Sequence, residues 1–184
     1  LKAIVNITTD KCYENDGRSE GYKESDPMGG YDPYSSSKGC AELVASAYRR
    51  SFLQNQGVGL ASVRAGNVIG GGDWANDRLI PDILLSFERG ESVVIRNPKA
   101  TRPWQHVLEP LSGYLNLGQV LYNDDSLHGE GFNFGPRAEQ NHTVEDLLID
   151  LSKYWHFDDV SDAYKVTGNI PFHEAGLLKL NCDK

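Results

Sequence analysis

Tyr34 and Lys38 stand four residues apart in the run Tyr34-Ser35-Ser36-Ser37-Lys38, a spacing that puts both side chains on one face of a helix. A phenol beside an ammonium suits proton removal from an alcohol, because the positive charge favours the phenolate. The spacing alone fits an ordinary helix surface equally well. Thr9, Asp10 and Lys11 add a hydroxyl, a carboxyl and an amine directly after the apolar, β-branched run Ala3-Ile4-Val5-Asn6-Ile7. The C-terminal ends of strands are where open α/β sheets place their ligands. The competing reading is a solvated loop in which Asp10 caps a turn.

These groups meet only if the elements carrying them pack together. Residues 2–8 read as a buried strand, and residues 14–31 as a polar, glycine-rich loop. Asp32-Pro33 offers a cap residue with proline at the first helical position. Apolar positions at Cys40, Ala41, Val44, Ala47, Tyr48 and Phe52 then recur at helical spacing to near Gly57. Residues 60–63 form a second short strand that terminates in Arg64-Ala65-Gly66-Asn67 and the loop Gly70-Gly71-Gly72-Asp73. Strand, helix and strand over this distance make a βαβ unit and predict a parallel sheet. Beyond it the pattern predicts a helix over 78–89, a strand over 93–95, a helix over 107–122, a strand over 132–134 and a helix begun by Thr143.

The bulk numbers bound the function. The chain has 184 residues, 39% hydrophobic and 24% charged, with a formal net charge of -8. That is enough apolar material for one packed core, and the negative charge argues against a nucleic-acid backbone as partner. Charges interrupt every long apolar stretch, so no membrane span and no secretory signal is expected, and the protein reads as cytoplasmic. Cys12, Cys40 and Cys182 lack the close spacings of zinc or redox sites and read as reduced thiols; no metal site is expected.

Three blocks in order carry a resemblance: Thr9-Asp10-Lys11-Cys12-Tyr13, Tyr34-Ser35-Ser36-Ser37-Lys38 and Arg64-Ala65-Gly66-Asn67-Val68-Ile69-Gly70-Gly71-Gly72-Asp73-Trp74. The chain resembles the extended short-chain dehydrogenases that act on nucleotide sugars, and within them the CDP-glucose 4,6-dehydratase branch. Asp77-Arg78-Leu79-Ile80-Pro81-Asp82, Arg102-Pro103-Trp104-Gln105-His106-Val107 and Leu178-Lys179-Leu180-Asn181-Cys182 extend the likeness along nearly the whole chain.

The resemblance implies an α/β fold: the C-terminal part of a doubly wound parallel, Rossmann-type sheet plus a smaller mixed substrate-binding lobe. Residues 1–66 would belong to the sheet domain and 67–184 to the lobe, with 107–135 returning to the sheet. It implies NAD as cofactor, a nucleotide-diphosphate sugar as substrate with CDP-glucose foremost, and a dimer or tetramer. Tyr34 would take the proton from the sugar 4-hydroxyl as the C4 hydride leaves to NAD. Thr9 would hydrogen-bond the same oxygen, and Lys38 would hold the nicotinamide ribose. Loss of the C5 proton and the C6 hydroxyl follows, with Asp10 as the acid for the leaving oxygen, and hydride returns to C6. Lys11 stands where the commoner dehydratases have glutamate. The C5 base is therefore Lys11, Asp10 acting twice, or a water held by them, and Lys11 as a mere charge partner is a further alternative. Asn67, Arg78 and Arg102 would bind the substrate, since arginine forks match diphosphate oxygens. An ion pair at the surface is the alternative for Arg78. His106 has no role in this reading. The glycines at 70–72 would permit a tight backbone course around a ligand.

No glycine-rich dinucleotide fingerprint follows a strand in these residues. Together with the abrupt start, its absence predicts roughly a hundred or more further residues on the N-terminal side, as a first βαβαβ half requires, and leaves these residues with only a fringe of the NAD site. An epimerase or reductase of the same fold, or a non-catalytic nucleotide-sugar-binding fragment, remains the alternative function.

Overall fold

A computed structural model describes residues 1–75, 78–137, 140, 142–157, 159–167 and 178–184. Nine strands are described: β1 (Ala3–Ile7), β2 (Gly59–Ala65), β3 (Val68–Ile69), β4 (Val93–Ile95), β5 (Thr101–Arg102), β6 (Gln105–His106), β7 (Gly131–Phe134), β8 (His142–Thr143) and β9 (Tyr164–Val166). Four α-helices accompany them: α1 (Pro33–Tyr48), α2 (Leu79–Glu88), α3 (Leu108–Asn123) and α4 (Val144–Ser152). The expected elements are all present, with boundaries shifted by a few residues except at the end of the first helix. The β3, β5, β6 and β8 pairs are two residues each, too short to leave a periodic trace in sequence.

The main sheet runs β1-β2-β7 and is parallel throughout, with Ala3 opposite Gly59 and Ser62 opposite Gly131. The central strand β2 is buried over all seven residues, as a parallel strand covered on both faces must be. α3 lies on one face. There Ala61, Val63, Leu117 and Leu121 form a core with Val5, Tyr114, Phe132 and Phe134 around it. Gly113 permits this contact, because a Cβ there would come within 2.1 Å of the Phe134 ring.

A second cluster lies in the other half of the chain. Ile83 and Phe87 of α2, Val93 and Ile95 of β4, and Val144 and Leu148 of α4 pack together, with Trp155 and Phe157 edge-on to Phe87. Thr143 starts α4 with a complete capping box, its hydroxyl accepting from the Asp146 backbone and the Asp146 carboxylate accepting from the Thr143 backbone.

The structure shows which face α1 buries and corrects where α1 and β2 end. The apolar stripe that reveals α1 is not its buried face: Val44, Tyr48 and Phe52 are exposed, whereas Ser35, Gly39 and Glu42 are buried. The helix ends earlier than expected, at Tyr48, passing into a π-helical turn over Arg49–Leu53. Arg64, at which the second strand was expected to terminate, lies inside β2 and is buried, because its charge is matched by a carboxylate from α1.

Candidate active site

The chain leaves β1 at Thr8, whose backbone N–H still reaches Val63 O (2.9 Å), and then tightens into a 3-10 turn, Asp10–Cys12. Thr9 caps this turn by accepting from the Lys11 backbone N–H, and its own hydroxyl donates to Asp10 Oδ1 at 2.9 Å. Lys11 Nζ donates to Asp10 Oδ2 at 3.1 Å. The three predicted groups therefore form one cluster, with Asp10 only 2% exposed. A Cβ on Gly66 would lie 3.6 Å from Asp10 Oδ2 and 3.4 Å from Pro103 Cγ. Gly66 and Pro103 in turn line a small pocket, about the size of one water molecule, with Gly135, Pro136, Arg137 and Lys179. Asp10 thus lies just behind one wall of that pocket.

Asp32 caps α1, accepting from Ser35 N (3.0 Å) and Ser35 Oγ (2.6 Å), and these bonds hold its carboxyl below the usual value. Pro33 occupies the first turn. Tyr34 is 56% exposed, and Lys38, partly buried, holds Nζ 5.4 Å from the Tyr34 ring centroid. The next residue, Gly39, brings α1 onto the 3-10 turn: a Cβ there would sit 3.3 Å from Gly29 O and 3.5 Å from Cys12 O. The helix carrying the phenol and the amine therefore packs on the turn carrying the acid.

The expected substrate-binding residues are less tightly grouped. Asn67 follows the pocket-lining Gly66, and its carbonyl accepts from Gln105 N at 3.0 Å. Arg102 precedes Pro103 on β5, opposite His142, and donates to the Thr101 carbonyl (3.0 Å). Arg78 is exposed at the start of α2 and is not among the residues lining the pocket; Asp77 beside it lies outside the described residues. His106 is exposed and accepts from Leu108 N at 3.2 Å. Of the three glycines, Gly70 meets Val107, whose Cγ1 would be 2.6 Å from an added Cβ, so its smallness serves a chain crossing.

Sequence reasoning passed over a buried polar network beneath the cluster. Arg64 grips Glu42 with two bonds, Nε to Oε1 at 2.8 Å and Nη2 to Oε2 at 3.1 Å. Glu42 also accepts from the Thr8 hydroxyl (2.5 Å). Arg64 Nη1 donates to the Tyr13 hydroxyl oxygen (2.8 Å), and that hydroxyl donates to Asn133 Oδ1 (2.7 Å). Burial pushes the Glu42 carboxyl up, yet the Arg64 bonds and charge, with Thr8, outweigh it and leave it below its ordinary value. Burial pushes the Tyr13 phenol up to about 12 and the Cys12 thiol likewise to about 12, so both stay neutral. The available signal was parity: Ser62 and Arg64 alternate with Ala61, Val63 and Ala65 along β2, and Asn6 of β1 stands opposite Ser62.

Comparison with known proteins bears on the family and the fold. The model of the family described as "NAD dependent epimerase/dehydratase family" matches residues 1–135. The CDP-glucose 4,6-dehydratase of Salmonella typhimurium is 59% identical over 189 residues, covering 100% of this chain and 52% of that protein. The chain therefore spans about half the length of this curated relative. Among solved structures, dTDP-glucose 4,6-dehydratase from Bacillus anthracis in complex with NAD superposes with a TM-score of 0.73 at 22% identity, covering 97% of this chain and 52% of the other. The dTDP-glucose 4,6-dehydratase from Streptomyces venezuelae with NAD and TYD bound gives 0.74 at 22% identity, covering 97% and 51%. At that identity the likeness establishes the fold, a Rossmann-type α/β sheet.

Proposed function

Because this chain belongs to the NAD dependent epimerase/dehydratase family, we propose that the protein containing it is a nucleotide-sugar 4,6-dehydratase that converts CDP-glucose to CDP-4-keto-6-deoxyglucose. The observation that carries this reading is the Thr9-Asp10-Lys11 cluster at the C-terminal end of β1, bordering the pocket and packed against α1. An epimerase or reductase needs no acid to expel a C6 hydroxyl, so a buried carboxyl here favours dehydration.

In the proposed reaction Tyr34 removes the proton of the sugar 4-hydroxyl, and the Thr9 hydroxyl turns from Asp10 Oδ1 to hydrogen-bond the same oxygen. The resulting C4 ketone acidifies the C5 proton. Asp10 delivers a proton to the departing C6 oxygen, which leaves as water. Lys11, bonded to Asp10 Oδ2, is placed to exchange protons with it and to hold the C5 base, whether its own amine or a bound water. Arg102 takes the diphosphate, and Asn67 and Arg78 line the nucleotide-sugar side of the site.

NAD, when bound, would supply the hydride acceptor for C4 and the hydride donor for C6, and with the return of a proton to C5 the overall reaction is redox-neutral. The residues present fit one side of it: Lys38 has a partly buried stem and an amine near an exposed phenol, suited to ribose hydroxyls. The same reading assigns 1–66 and 107–135 to the cofactor-side sheet and the remainder to the substrate lobe, with the protein cytoplasmic and a homo-oligomer.

The test is incubation of the complete gene product with CDP-glucose and NAD. The expected product is a 4-keto-6-deoxy sugar, seen by NMR, and Asp10→Asn should slow its formation about 100-fold or more. Saturable nucleotide-sugar binding without any ketone, or an epimerised sugar, would overturn the proposal.

A further inference from the structure

The six residues Thr8–Tyr13 hold Thr9, Asp10 and Lys11 between two side chains that end on the same buried ion pair. At the front, the Thr8 hydroxyl donates to Glu42 Oε1 (2.5 Å). At the back, the Tyr13 hydroxyl receives Arg64 Nη1 (2.8 Å). Glu42 and Arg64 close the loop with their bidentate contact, at 6% and 4% exposure. The loop is itself anchored. Tyr13 donates to Asn133 on β7, Asn133 donates to the carbonyls of Tyr22 and Asn181, and Arg64 Nη1 donates to the Glu24 carbonyl. Five separate stretches of chain, at Glu42, Arg64, Asn133, Tyr22–Glu24 and Asn181, therefore converge on the ends of one three-residue turn.

We propose that Glu42 and Arg64 form a clamp that positions the Thr9-Asp10-Lys11 segment, and through it aims the Asp10 carboxyl at the leaving oxygen. The aiming half of this inference rests on the dehydratase reading above. Both residues are positioning residues, acting through the hydroxyls of Thr8 and Tyr13. Three physical points carry the argument. A short 3-10 turn has poor hydrogen-bond geometry of its own and sets its direction weakly. A buried ion pair adds little net stability over apolar residues of similar volume, so geometry is the better reason for one here. Finally, displacement of a reacting group by about 1 Å can slow catalysis about 100-fold.

Two gentle variants sever the clamp from the turn without exposing a buried charge. Thr8→Val removes the front hydroxyl and Tyr13→Phe the back one, while Glu42 and Arg64 keep each other. In the complete gene product each variant should lower kcat about 10-fold, and the pair about 100-fold, with KM within about 3-fold. In an Asp10→Asn background the same pair should add less than about 3-fold, because the group they aim is already disabled. Amide exchange at residues 9–13 should rise at least about 10-fold while β2 keeps its protection. Wild-type kcat in the Thr8→Val/Tyr13→Phe protein, an undiminished loss in the Asp10→Asn background, or unchanged exchange would each overturn the clamp. If the unmodified protein makes no ketone, the proposed function falls by itself and exchange alone decides the clamp: faster exchange at 9–13 supports it, unchanged exchange ends it.

Discussion

On the face of the main sheet that meets α3, Val5, Ala61, Val63, Phe132 and Phe134 present only hydrocarbon, sealed by Leu117 and Leu121. One residue along on the same strands, Asn6, Ser62, Arg64 and Asn133 point the other way. They are joined by hydrogen bonds from Asn6 to Ser62 (3.1 Å), from Arg64 to Glu42 and through Tyr13 to Asn133. The apolar face is held by contact area, which is non-directional and tolerant of exchange among shapes of similar volume. The polar face is held by directional bonds that accept one arrangement. The candidate site stands on the second face, where the orientation of a carboxyl matters more than the volume filled.

The sharpest way to break this contrast is Arg64→Met, which strands a buried carboxylate. It should cost about 4 kcal/mol of stability, read by urea unfolding. Its pH dependence follows from Glu42, whose folded carboxyl titrates below the ordinary 4.5 because of Arg64. A depressed folded value means that the pair stabilises above about pH 4.5 and that this stability is lost as pH falls through the folded value. The gap between Arg64→Met and the parent should therefore be widest near neutrality and close in acid. Adding Glu42→Leu removes the stranded charge and should recover most of the stability, yet leave turnover slow. Recovery of both would mean that the polar face serves packing alone.

On the apolar face, Leu121→Ala should cost about 3 kcal/mol through lost burial and a residual cavity. Turnover per folded molecule should stay within about 2-fold below the melting transition, because no site residue is bonded to Leu121. A specific loss of kcat there would erase the distinction between the faces. The smallest expected effect lies outside both. Gly90 ends α2 at φ 68° with open space around it, so Gly90→Ala should cost about 1 kcal/mol by backbone strain alone, seen as a small drop in Tm with unchanged kinetics.

Much of this architecture was legible before folding. The β-branched runs at 3–7 and 93–95, the Asp32-Pro33 helix start and the Thr143 cap are local signals, and each marks an element where it was expected. Helical periodicity reports that α1 exists, while the surface it buries depends on its neighbour. Here the neighbour is a polar turn, so Ser35, Gly39 and Glu42 go inward and Val44, Tyr48 and Phe52 do not. Arg64 misled for a related reason: a charged residue in a strand pattern reads as the strand's end unless a partner 22 residues away is known to reach it.

Residue types and local spacing determined the strands, the helix starts, the βαβ order and the two groups, Thr9-Asp10-Lys11 and Tyr34/Lys38, that can move protons. Only the tertiary structure decided that α1 lies on the turn bearing Asp10, that Gly66 and Pro103 wall the pocket beside it, and that Glu42 and Arg64 lock the turn from below. The reason is range. Propensity, capping and periodicity act within a few residues, whereas a buried charge is tolerated only where a distant partner arrives at hydrogen-bonding distance.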